Sequence, residues 1–304
     1  MSRIHDALKK AEQARQGSAG AEFQPSVLEA PMPPPTVPPA VRETEMPAFA
    51  GPSEGPFTYD ALTARVQPSR WSPNLKTMLF FGNNGHSVHS ESFRTLRSRL
   101  YQTREKQALQ SVLITSALPA EGKTFVSANL AQAMVRQQGR RVLLIDADLR
   151  RPQLHEVLGA SSKPGLSEYL RGGLDEAAVL QRGQLENLFF IAGGKQESNP
   201  AELIGSNRLK ALLQRMAPLF DWIILDSPPA VPVSDASLLA GSCDGVVLVV
   251  RAGSTPVEMA QKAQQEFADK PVVGVVLNRA DEKSPYTSYY YYYEGGPNGP
   301  RPKG

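Results

Sequence analysis

Residues 116–124, Ser-Ala-Leu-Pro-Ala-Glu-Gly-Lys-Thr, join a β-rich run, Ser111-Val-Leu-Ile-Thr115, to a helical pattern from Phe125 to Arg136 whose apolar positions are Phe125, Leu130, Met134 and Val135. A strand that feeds a helix through such a turn points backbone N–H groups and the positive end of the helix at one place. That place suits a phosphate. Lys123 is placed to reach β/γ-phosphates, and the Thr124 hydroxyl to ligate Mg²⁺. Pro119, Glu121, Gly122 and Phe125 complete the expected nucleotide-contacting set. Ala117 stands where the usual phosphate-loop pattern has its first glycine, so the match is a relaxed one.

Two further runs end in carboxylates. One helix after the loop comes Leu143-Leu-Ile-Asp146-Ala-Asp148-Leu-Arg150, and later Asp221-Trp-Ile-Ile-Leu-Asp226-Ser-Pro-Pro229. A buried strand ending in Asp226 places that carboxylate at the carboxyl edge of a parallel sheet, where it can hold Mg²⁺ directly or through water. Three carboxylates converging on one loop are more negative charge than nucleotide binding requires. Separate roles follow: Asp148 and Asp226 for the metal, and Asp146 for an attacking hydroxyl, with Lys123 and Asp148 beside it in the catalytic group.

Asn187-Leu-Phe-Phe-Ile191, Asp244-Gly-Val-Val-Leu-Val-Val250 and Pro271-Val-Val-Gly-Val-Val-Leu277 are further β-rich runs, the last two separated by a helical pattern from Pro256 to Phe267. Continuous apolar runs alternating with helices predict an α/β fold, a doubly wound and mostly parallel sheet with helices on both faces. Ligands of such a sheet lie at the carboxyl ends of its strands. Asn278-Arg279, just past the last strand, is the expected base contact by position; otherwise it is a strand-end turn.

The 304 residues divide unevenly. Residues 1–16 have Ile4, Leu8 and Ala11 on one stripe and predict a short amphipathic helix, marginal in water unless it meets a partner. Residues 17–85 are rich in Pro, Ala, Glu and Ser and predict a disordered tether. Residues 86–280 hold the catalytic domain, with a core of about 200 residues, ordinary for one α/β domain. Residues 281–304 form a tail predicted to be disordered.

Cys243 is the only cysteine, which excludes an internal disulfide. No run approaches the roughly 18 apolar residues of a membrane span, and the amino terminus lacks a signal-peptide apolar region, so a cytoplasmic location is expected. A net charge of +3 is too small to argue for nucleic acid.

The tail carries Tyr286, Tyr289, Tyr290, Tyr291, Tyr292 and Tyr293, six of the chain's nine tyrosines, in a Ser/Gly/Pro/Asn-rich context with no secondary-structure period. Their phenols are offered to solvent or to an active site, and each phosphorylation would add about −1.5 to −2 charges. Ahead of the first strand, a helix expected over 86–102 carries Glu91, Arg94 and Arg97 on neighbouring turns.

Together these motifs resemble the bacterial tyrosine autokinases of capsule and exopolysaccharide biosynthesis, in their cytoplasmic form. The resemblance covers roughly residues 86–293: the Gly122-Lys123-Thr124 loop, the Asp146-Ala-Asp148-Leu-Arg150 strand, the Asp226-Ser-Pro228 strand and the tyrosine cluster. It implies a P-loop NTPase fold, ATP and Mg²⁺ as cofactors, and a homo-oligomeric ring held through Glu91, Arg94 and Arg97. It also implies that each tail is phosphorylated in a neighbour's active site, Asp146 acting on the tyrosine hydroxyl. A membrane adaptor or chain-length regulator of polysaccharide export would recruit and activate the kinase, and a cognate phosphatase would reset it.

Two alternatives remain: a MinD/ParA-like switch ATPase, and an ATP-binding scaffold of an export complex. The first carries a signature lysine near the start of its loop, where this chain has Ala117 and Leu118.

Overall fold

The computed structural model describes residues 58–81 and 88–280. A seven-stranded sheet is the frame. Its strands are β1 (Ser111–Ser116), β2 (Val142–Asp146), β3 (Leu180–Arg182), β4 (Leu188–Ile191), β5 (Trp222–Asp226), β6 (Gly245–Arg251) and β7 (Val272–Asn278). They lie in the order β3-β4-β2-β5-β1-β6-β7. Every neighbouring pair is parallel except β3–β4. The parallel sheet read from the sequence is therefore present. The short antiparallel β3 edge is an addition to it.

The apolar runs of the strands are continuous because both faces of the sheet are covered. Val112 and Ile114 of β1 join one core with Leu144, Trp222, Ile224 and Val247, whereas Leu113 joins a second core with Leu143, Ile145, Ile223 and Leu225. Successive side chains point to opposite faces, so one strand serves two cores.

The helices are α1 (Tyr59–Arg65), α2 (Val88–Arg104), α3 (Lys123–Val135), α4 (Leu154–Leu158), α5 (Leu166–Arg171), α6 (Glu176–Val179), α7 (Ala201–Ile204), α8 (Asn207–Met216), α9 (Asp235–Gly241) and α10 (Val257–Gln265). In α3 every residue from Val126 to Met134 is buried. A helix enclosed on all sides has no polar face, which is why its apolar periodicity in the sequence is weak.

Part of what the sequence assigned to the 17–85 tether is folded. Thr58 caps α1, its hydroxyl oxygen accepting the Ala61 N–H at 3.2 Å. Leu62, Val66, Trp71, Met78 and Phe80 are buried. Asn129 of α3 clamps this stretch, accepting the Leu79 N–H at 2.8 Å and donating to the Thr77 carbonyl at 2.9 Å. The proline-rich average of the segment masked large apolar side chains that serve both cores: Leu62 and Val66 join the core that holds Leu113, whereas Trp71, Met78 and Phe80 join the one that holds α3. The predicted 1–16 helix, the remainder of the tether and the 281–304 tail lie outside the described residues, as does the start of the helix expected over 86–102.

Candidate active site

Strand ends bring the site together. Asp146 closes β2 and Asp226 closes β5, and the two are in register as neighbours across the sheet. The phosphate loop leaves β1 next to them. It passes through left-handed backbone at Ala120 (φ 62°) and Gly122 (φ 96°), the alternation that turns successive N–H groups toward one point. Gly122 is required twice over. Its φ is costly for any other residue, and a Cβ there would lie 2.1 Å from Asn278 Nδ2.

Lys123 opens α3, and its Nζ lies 3.1 Å from Asp148 Oδ2. Burial works against the lysine charge, but the carboxylates of Asp226, Asp148 and Asp146 outweigh it, so its pKa lies above the ordinary lysine value. Thr124 Oγ1 donates to Asp226 Oδ2 at 2.7 Å, and Ser127 Oγ donates to Asp226 Oδ1 at 2.9 Å. Ser127 did not figure in the sequence reading. Its signal was there: it stands three residues after Thr124 and so on the same helix face.

Asp146 is fully buried. It accepts the N–H of Asp148 at 3.2 Å through Oδ1, and those of Gln153 and Leu154, each at 3.0 Å, through Oδ2. Burial first, then the charge of Asp226, pushes its pKa well above the usual carboxylate range, against the lowering effect of the Leu154 N–H. Burial also raises Asp226, while Lys123, Thr124 and Ser127 pull it the other way.

One hydroxyl, of Thr124, and two carboxylates, of Asp148 and Asp226, thus meet beside Lys123, Thr124 through its bond to Asp226 and Asp148 through its ion pair with the lysine. Among the described residues, no group of three or more His, Cys, Asp or Glu side chains is set to hold a metal ion. A hard cation held by Thr124, Asp148 and Asp226 would need further oxygens from phosphate or water, as Mg²⁺ sites do.

The remaining expected residues fall in different places. Pro119 lies exposed at the loop tip and Phe125 half-buried, its ring edge-to-face with Phe93 at 5.7 Å. Asn278 Nδ2 donates to the Glu121 carbonyl at 2.7 Å, and its Oδ1 accepts the Arg279 N–H at 3.0 Å. Asn278, Arg279, Gly122 and Phe125 line a cleft of about 820 Å³ that opens beside the phosphate loop toward α2. The Glu121 carboxylate, expected at the nucleotide, is instead turned into the protein, where Leu118 N–H and the Thr255 hydroxyl donate to it.

On α2, Glu91 accepts from Arg94 Nη1 at 2.6 Å within the same helix, and Arg97 Nη1 donates to the Ala133 carbonyl at 2.7 Å. The tyrosine cluster lies outside the described residues. Arg150, unassigned beyond its motif, grips buried Asp235 with two bonds, 2.6 Å from Nε and 2.9 Å from Nη2.

Residues 112–294 match the CobQ/CobB/MinD/ParA nucleotide binding domain family, which makes this a nucleotide-binding domain. That family is broad and includes switch ATPases. Among individual proteins, the tyrosine-protein kinase YwqD of Bacillus subtilis is 36% identical over 208 residues, covering 68% of this chain and 87% of YwqD. The chain belongs to the bacterial tyrosine kinases. This kinase is also 37% identical over 204 residues to the putative tyrosine-protein kinase EpsB of Ralstonia nicotianae, but spans only 27% of that protein's length. Its fold matches the solved kinase domain of the Escherichia coli tyrosine kinase ETK with a TM-score of 0.66 and 31% identity, over 72% of this chain and 85% of that one. Among the described residues, no helix of the kinase is long and apolar enough to cross a membrane.

Proposed function

We propose that this kinase transfers the γ-phosphoryl of ATP to the tyrosines of its own carboxyl-terminal cluster, Tyr286 and Tyr289–Tyr293, with the acceptor tail supplied by a neighbouring copy. The observation that carries this reading is the convergence of Lys123, Thr124, Asp148 and Asp226 at the carboxyl ends of three adjacent strands.

The residues divide the work by chemistry. Backbone N–H groups of residues 120–124 and the amino end of α3 cradle the phosphates. Lys123 neutralises charge on the migrating phosphoryl and leaves its Asp148 contact to do so. Mg²⁺, when bound, would supply positive charge that offsets the charge of the phosphates. Thr124, Asp148 and Asp226 are the residues that would hold it. Asp146 orients or deprotonates the tyrosine hydroxyl. Its three N–H bonds leave one of about four carboxylate lone-pair positions for that contact. Asn278 and Arg279, at the mouth of the cleft, are the base-contacting positions.

Glu91, Arg94 and Arg97 are proposed to join copies of the chain. Glu91 and Arg94 are half-buried on α2, and it is the charged Glu91–Arg94 pair that would face a second copy. Phosphorylated tails repel one another and disperse the assembly, a phosphatase restores it, and the cycle regulates polysaccharide polymerisation and export. A membrane adaptor would recruit the kinase to the inner face of the membrane.

A switch ATPase is disfavoured by one local feature. Leu118, near where its signature lysine would stand, packs against the apolar core, and Ala117 beside it is fully buried. Incubation of the full chain with Mg·[γ-³²P]ATP tests the choice. Label on the protein that is lost in Lys123→Met supports the kinase, whereas ATP hydrolysis without protein label contradicts it.

A further inference from the structure

Glu121 is an acid inside a loop built for an anion, and it is only 3% exposed. A carboxylate two residues before Lys123 would repel a phosphate unless it were aimed elsewhere and its charge met locally. Both conditions hold. Oε2 accepts the Leu118 N–H at 2.8 Å, across the left-handed turn at Ala120. Oε1 accepts the hydroxyl of Thr255, whose oxygen in turn accepts the Arg251 N–H at 3.0 Å, at the end of β6. The Glu121 carbonyl accepts from Asn278 Nδ2 at 2.7 Å, at the end of β7. The base of the loop, the β6–α10 connection and the last residue of β7 therefore all meet on one residue.

We propose that Glu121 is a positioning residue for the nucleotide, with Thr255 as its partner: together they hold the phosphate loop open in its binding geometry before any nucleotide arrives. The inference rests on the nucleotide-binding half of the function proposed above. Left-handed backbone at Ala120 is unfavourable for a residue with a Cβ and persists only where surrounding bonds enforce it. The Leu118–Glu121 bond closes that turn, and Thr255 fixes the carboxylate that makes it. Without this brace the loop must be ordered by the nucleotide itself, at the expense of affinity.

The test uses the full chain and the variants Glu121→Ala, Glu121→Gln and Thr255→Val. It reads the Kd of a fluorescent Mg·ADP analogue, and KM and kcat for ATP turnover. Loss of hydrogen bonds to a charged group predicts that Glu121→Ala weakens binding about tenfold or more and raises KM more than it lowers kcat. Glu121→Gln, which still offers an acceptor to Leu118 and an amide to Thr255, should recover to within about threefold of the unaltered chain. Thr255→Val should weaken binding in the same direction, and adding it to Glu121→Ala should cost nothing more, because the two act through one bond.

Binding by Glu121→Ala within about twofold of the unaltered chain, or a Gln variant no better than Ala, overturns the proposal. If Glu121→Ala does not fold, Thr255→Val decides: weakened binding supports the brace and unchanged binding refutes it. An unaltered chain that binds Mg·ADP but never labels tyrosine contradicts the kinase function and leaves the brace standing. Normal tyrosine labelling with unchanged binding in the variants contradicts the brace alone.

Discussion

The ammonium of Lys123 rests 3.1 Å from the Asp148 carboxylate, with both side chains largely buried and Asp146 and Asp226 close enough to raise the lysine pKa. One cation therefore serves three acidic groups. Lys123→Met leaves them facing one another with no counter-charge, and removes the group that would meet the migrating phosphoryl. ATP turnover should fall by about 10²-fold or more, the scale seen when a preorganised electrostatic contact is removed. Steady-state kinetics at saturating Mg·ATP checks this.

Arg150 and Asp235 join the loop after β2 to the start of α9, and Asp235 is 1% exposed against 34% for Arg150. Cutting the arginine away strands a buried carboxylate. Arg150→Ala should destabilise the fold by about 3 kcal/mol, and Arg150→Ala/Asp235→Ala by less than the sum of the two single changes. Urea unfolding of the four proteins gives the coupling.

Trp71 is 3% exposed and packs edge-to-face on Phe190 at 6.0 Å. Gln184 Nε2 also donates to its carbonyl at 2.7 Å. Because residues 58–81 belong to the domain, Trp71→Ala should cost about 3–5 kcal/mol in a thermal melt. An unstructured tether would register almost nothing in the same thermal melt.

Cys243, the single thiol of the chain, is buried, and burial together with the charge of Asp244 pushes its pKa up to about 12. At pH 8 the native protein should therefore resist a disulfide reagent. The reaction should proceed only as fast as the domain opens, and should accelerate in denaturant in step with unfolding.

The strands, the phosphate loop and the three aspartates were legible in the sequence because each depends on contiguous residues: an apolar run, a turn, a carboxylate at the strand end. Contacts between distant residues were not. Asp235 is 85 residues from Arg150, and Thr255 is 134 from Glu121. No local period betrays such pairs. Arg97 shows the same limit: its guanidinium serves the Ala133 carbonyl near the end of α3, a site that exists only once the two helices are packed. The 58–81 stretch was misjudged because composition averages over a segment, while burial depends on individual side chains such as Trp71 and Phe80. The antiparallel β3 is three residues long, too short for its alternation to stand out.

The central claim is that the tail tyrosines of one copy are phosphorylated in the site of another. The most direct measurement mixes a full-length Lys123→Met chain, which keeps its tyrosines, with an active chain carrying Phe at 286 and 289–293. The mixture receives Mg·ATP with and without the cytoplasmic segment of a candidate membrane adaptor, and phosphotyrosines are mapped by mass spectrometry. Phosphate on Tyr286 and Tyr289–Tyr293 of the Lys123→Met chain, absent when the active partner also carries Asp146→Asn, is the predicted result. Unmodified tyrosines on that chain, while the unmixed unaltered protein labels its own tail, would contradict transfer between copies.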